Sequence, residues 1–193
     1  MKKIVLSIIV LLTTISSFAQ TGTSAKSGSH LQFEGITMNG EIRAFCSKLE
    51  KKGYTYEMGT KAFGKLKGDF MGCKDCDVAV CGGTNFNLIS NIFIEKSTNN
   101  KDEKIKYYST LKKNLVEKYG KPSFCKENFK CIIEPTTKNE RFYAKDEEIK
   151  YMTTFNLKNG IIMLGMQEES VIISYLDNIN YSLMKKSCPE DMD

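Results

Sequence analysis

The chain has 193 residues, 41% of them hydrophobic and 26% charged, with a formal charge of +5. That is an ordinary globular balance for one domain, or at most two small ones, and it excludes a disordered chain. The single histidine, His30, excludes a multi-histidine metal site and an HExxH motif, and leaves any Ser-His or Cys-His mechanism only one residue to recruit.

Residues 1–19 open with Lys2 and Lys3, continue through an apolar run, and end on small residues at Ser17 and Ala19. This pattern predicts a cleaved secretory signal peptide. The apolar stretch of about 15 residues is short for a membrane anchor, which needs about 20. With no cysteine near the cleavage point, a lipoprotein anchor is not indicated, and a periplasmic or secreted protein is expected. No second long apolar run follows, so the mature chain is not expected to span a membrane. Its lysines are spread singly or in pairs without interleaved aromatics, which gives no reason to expect nucleic acid as a partner.

Residues 20–29 are small and polar and read as a flexible mature N-terminus. A single α+β domain is expected over 30–193. A short strand at 31–33 leads to a helix over 40–52, where Ile42, Phe45, Cys46 and Leu49 build one apolar stripe. Asn39 is placed to cap that helix, and Gly53 suits the residue past its end. Short strands follow at 55–57, 63–70, 77–81 and 88–95, the last two as a hairpin. A second helix is expected over 101–119, capped by Asn100 and stopped by Gly120 and Pro122. Tyr108, Leu111, Leu115 and Tyr119 line its inner face, with Val116 beside them. Three more strands are expected at 151–157, 161–167 and 171–176, with Asn159-Gly160 turning between the first two. Helix-strands-helix-strands predicts a two-layer fold: a largely antiparallel sheet with two main helices on one face. Cys46–Gly53 (CSKLEKKG) and Lys113–Gly120 (KNLVEKYG) suggest two helix-plus-strands units, 30–98 and 99–180.

The signal, the helix ending in glycine, Gly68-Asp69-Phe70, the KYGKP stop at 118–122 and the strand running into Tyr175–Asp177 resemble a group of uncharacterised exported bacterial proteins. The helix-then-strands repeat is also similar to the β-lactamase-inhibitor-protein-like fold, which implies a small envelope domain. Neither resemblance implies an activity.

All seven cysteines lie after residue 19, where an oxidising compartment favours disulfides. The odd number leaves at least one thiol unpaired or bridging molecules. Cys125 and Cys131, which bracket five residues in a loop, are candidates for a local bridge. Cys73 and Cys76 form a CxxC, read as a structural disulfide. The alternatives are a redox dithiol, disfavoured by neighbouring Asp75 and Asp77, and zinc binding with Cys81. Cys46, on a helix stripe, reads as a buried free thiol. Asp69, Asp75 and Asp77 read as solvated turn residues rather than a cation site. Tyr54 and Tyr56 alternate at strand spacing, either as an exposed patch suited to carbohydrate or protein, or as core beneath the helices. The expectation is a non-catalytic exported module binding a protein or envelope ligand, without a cofactor or metal. The alternative is an envelope enzyme, either thiol redox at Cys73/Cys76 or a carboxylate hydrolase.

Overall fold

The computed structural model describes residues 29–83, 88–127, 130–131 and 151–187. The expected signal segment lies outside them. The chain starts with a small hairpin, β1 (Gln32–Phe33) and β2 (Ile36–Thr37), then α1 (Ile42–Glu50). Next come β3 (Thr55–Gly59), β4 (Phe63–Phe70), β5 (Cys73–Gly83) and β6 (Leu88–Ser97). The long helix α2 (Lys101–Tyr119) leads to β7 (Phe124–Glu127) and β8 (Lys130–Cys131). The chain then runs through β9 (Tyr151–Leu157), β10 (Gly160–Met166) and β11 (Ser170–Asp177) into α3 (Asn178–Ser187).

Among the described residues, nine strands form one sheet in the order β3-β4-β5-β6-β11-β10-β9-β7-β8, antiparallel at every pairing. The fold is α+β. Each half is a helix followed by antiparallel strands, and the last strand of one half, β6, pairs with the last strand of the other, β11.

Register decides which residues face the helices. One row of paired positions crosses the sheet as Leu66, Val78, Ile94, Ile173, Leu164 and Thr153, all 2% exposed or less. Side chains directly opposite one another share a face, so this row is the floor of the core. Both α1 and α2 cover it. At Gly64 a Cβ would come within 2.6 Å of Cys46 Sγ on α1, so the missing side chain lets that helix approach. From α2, the Tyr119 ring packs 6.3 Å from that of Phe155 on β9. Leu49 and Leu115, mid-stripe on the two helices, are fully buried as their periodicity predicts. Each burial contributes about 2 kcal/mol.

On the far face, Lys65 Nζ lies 2.8 Å from Glu57 and 3.2 Å from Asp77, a network that bridges β3, β4 and β5. The centre of that face, at Ala79, Phe93, Ile172 and Leu176, is buried.

Several local expectations need correction. Asn39 does not cap α1. The N-cap is Glu41, without a side-chain cap bond, while Asn39 Oδ1 accepts from Gly40 N. The turn between β9 and β10 falls one residue early, on Lys158 and Asn159. Gly160 opens β10, where a Cβ would sit 2.3 Å from the Leu176 carbonyl oxygen. Val116 is 36% exposed rather than part of the buried stripe. Helix α3 is additional. It is started by Asp177, whose carboxylate accepts from Asn180 N and Leu31 N and lies 3.2 Å from His30 Nδ1.

Candidate functional site

A turn of two residues with positive φ, Glu34 (52°) and Gly35 (73°), joins β1 to β2. This matches the twist of a tight hairpin, but glutamate in the left-handed region costs about 1 kcal/mol. The turn sits over an aromatic cluster. Phe33 lies 5.4 Å from Phe70, 5.3 Å from Tyr175 and 6.4 Å from Tyr54, centroid to centroid. Tyr119, at the end of α2, lies 6.5 Å from Tyr175.

The aromatic bodies account for the packing, but their polar tips are poorly paired. The hydroxyls of Tyr54, Tyr119 and Tyr175 are all buried; among the described residues none meets a partner in good hydrogen-bond geometry, although those of Tyr119 and Tyr175 lie close enough to interact with one another. Buried polar groups nearly always find partners, and leaving one unpaired costs about 1–3 kcal/mol. Burial holds the Tyr175 phenol well above its ordinary pKa, helped by the neighbouring Tyr119 hydroxyl and then by Glu34 and Tyr54. Burial likewise raises Tyr54, with Glu34 the next contributor. Glu34 in the β1–β2 turn, Tyr54 just before β3, Tyr119 at the end of α2 and Tyr175 on β11 thus lie around one polar spot in an aromatic interior. Glu34 and Tyr119 are half-buried; Tyr54 and Tyr175 are buried.

Of the two tyrosines read from strand spacing, only Tyr54 belongs to this cluster. It is 6% exposed and lies on Gly68, where a Cβ would come within 2.5 Å of its ring. Tyr56 is covered instead by Arg43 of α1, whose guanidinium carbon stands 4.1 Å from the ring centroid. The two therefore do not form a shared exposed patch. Sequence reading missed Glu34, Tyr119 and Tyr175. Tyr119 carried only a core signal, its place on the helical stripe, and nothing marked its hydroxyl as poorly paired.

The cysteines are arranged differently from the expectation. Cys46, Cys73, Cys76, Cys81 and Cys125 are all free thiols. The bridge expected at Cys73 and Cys76 is absent. The motif lies in a β-bulge with Asp75 at φ 52°, both residues are 1% exposed, and Cys76 Sγ donates to the Cys73 carbonyl oxygen at 3.5 Å. Burial pushes Cys76 up to about 12 and raises Cys73 as well. A local Cys125–Cys131 bridge also finds no support in the register, which sets Cys131 opposite Lys126 rather than Cys125. The Cys131 side chain lies outside the described residues.

Cys125 instead meets α2. Lys112 Nζ lies 3.2 Å from its Sγ and 2.8 Å from Glu127 Oε1, and Thr153 Oγ1 donates to the sulfur at 3.5 Å. Tyr108 closes the group through its 2.7 Å hydrogen bond to Thr153. Burial lowers the Lys112 pKa, but its bonds to Glu127 and Cys125 outweigh that and leave it raised. Among the described residues, no three or more His, Cys, Asp or Glu side chains gather as a metal site would require, and no helix is long and apolar enough to cross a membrane. No family model, curated protein or solved structure gives a significant match to the chain.

Proposed function

We propose that the protein is an exported, non-catalytic binding module, periplasmic or secreted, whose cluster of Glu34, Tyr54, Tyr119 and Tyr175 takes a polar group of an envelope ligand. One observation supports this reading: three phenol oxygens buried close together, none in good hydrogen-bond geometry and only Tyr119 and Tyr175 within reach of one another. An interior that leaves such donors poorly paired is destabilised, and a ligand that pairs them recovers that loss on binding. A group bearing hydroxyls or an amine, presented on an apolar face that can stack on the half-buried Tyr119, matches the lining. Saccharides and short peptides of the envelope both offer such groups. The buried centre of the far sheet face is a weaker candidate, because its apolar side chains are already covered. The thiol-redox alternative at Cys73 and Cys76 loses ground for a related reason: burial favours the unreactive thiol at both positions.

The test is thermal denaturation of the exported chain against cell-wall oligosaccharides and short peptides, read by circular dichroism. Binding to the folded state alone raises the melting temperature by mass action. One of the two classes is expected to raise it by several degrees, and Tyr119→Phe to abolish that rise while still folding. If neither class shifts the melt, or Tyr119→Phe shifts with ligand as the parent does, the cluster is not the binding site.

A further inference from the structure

We propose that Cys125 is a reactive thiol, modified by small-molecule disulfides, with the Lys112 ammonium beside its sulfur. It is half-exposed on β7, and an ammonium stands 3.2 Å from its sulfur. A positive neighbour together with partial exposure is what makes a cysteine nucleophilic. The groups around it are Lys112 and Tyr108 from α2, Glu127 from its own strand, and Thr153 from β9. Glu127 shares the lysine but has no contact with the sulfur given by the geometry; the hydroxyl of Thr153 does, and donates to it.

The other described cysteines are unlike it. Cys46, Cys73 and Cys76 are 1% exposed or less. Burial pushes Cys46 up to about 11, and Cys81 up to about 12. Lys96 favours the thiolate at Cys73 and Cys76, and Arg43 at Cys46, but burial outweighs both cations. The Cys125 group is also separate from the tyrosine cluster: Lys112 and Tyr119 are seven residues apart on α2, roughly 10 Å along its axis.

The chemistry is thiol–disulfide exchange. The Cys125 thiol gives its proton to solvent, and the thiolate attacks one sulfur of RS–SR. A Cys125–S–SR bond forms, the reagent's own S–S bond breaks, and RS⁻ leaves to take a proton from solvent. Cys125 is oxidised to the mixed disulfide, and one half of the reagent is reduced to a thiol. No further oxidant is required.

The experiment reacts the reduced, folded chain with dithiobis(nitrobenzoate) at pH 7 and follows the released nitrothiobenzoate. Incubation with glutathione disulfide and peptide mass mapping then locates the adduct. One fast phase is expected, absent in Cys125→Ser, with the glutathione adduct on Cys125. Lys112→Gln is expected to keep that phase's amplitude and slow it about tenfold, and Lys112→Arg to keep its rate within about threefold. Should Lys112→Gln unfold the chain, the buried thiols react as well and the amplitude rises. Lys112→Arg and the mapped adduct then decide. A fast phase that survives Cys125→Ser, an adduct mapped to another cysteine, or a folded Lys112→Gln that reacts at the parent rate overturns the proposal.

Discussion

At the scale of single residues, burial dominates the chemistry of this chain. Cys46 is raised to about 11 and Cys76 and Cys81 to about 12, in each case first by desolvation. The sign of the linkage follows. A folded-state pKa above the unfolded value near 9 means that the unfolded chain loses these protons first as pH rises. Stability from these thiols is therefore fully present below pH 9 and drains away between about 9 and 12. In urea titrations with reductant present, unfolding free energy is expected to be flat from pH 7 to 9 and then to fall. Each thiol contributes a loss of roughly 1 kcal/mol per pH unit. Cys76→Ala should shallow that slope by one thiol's share, and an unchanged slope would place Cys76 in a solvated site. The CxxC spacing at 73–76 could not convey this. It shows two sulfurs close in sequence, whereas their burial comes from a bulge, set by Asp75, that turns both positions toward the core.

Elements were legible wherever a local pattern specifies them. Helix α2 begins and ends where its cap and stop residues place it. Asn100 Oδ1 accepts from Asp102 N and Glu103 N at 2.9 and 3.2 Å, and Gly120 takes a φ of 82° just past the end. Asn100→Ala is expected to cost about 1 kcal/mol in a urea unfolding series; no loss would mean the cap bonds are not formed in solution. Helix α1 shows why a cap residue alone misleads. Asn39 is spent on the neighbouring Gly40 amide, so the helix starts two residues later than its sequence suggests. The β9–β10 hairpin was visible from Asn159-Gly160, though for a different reason. Gly160 is needed for close approach to the Leu176 carbonyl, not for a left-handed turn. Helix α3 and the strands β7 and β8 left little local signal. The first is fixed by Asp177 and by Asn180, whose amide donates to the Met38 and Ile89 carbonyls far away in sequence.

For the whole molecule, a helix followed by a run of strands, twice over and without regular strand–helix alternation, indicated an α+β fold with helices on one face of an antiparallel sheet. The order of strands was not legible. The central β6–β11 pairing joins segments with no shared turn, and only the completed row of Ile94 against Ile173 and Ile92 against Tyr175 shows why it forms. The same pairing builds the candidate site. It places Tyr175 beneath Phe33, while α2 delivers Tyr119 and the loop before β3 delivers Tyr54. Positions 34, 54, 119 and 175 have no sequence relation, so no motif could announce them. The most direct measurement is a high-resolution crystal structure of the chain, inspected at the three phenol oxygens. The account predicts ordered density, from water or ligand, within about 3 Å of at least two of them. Hydroxyls found dry against carbon, or paired only with one another, would contradict it.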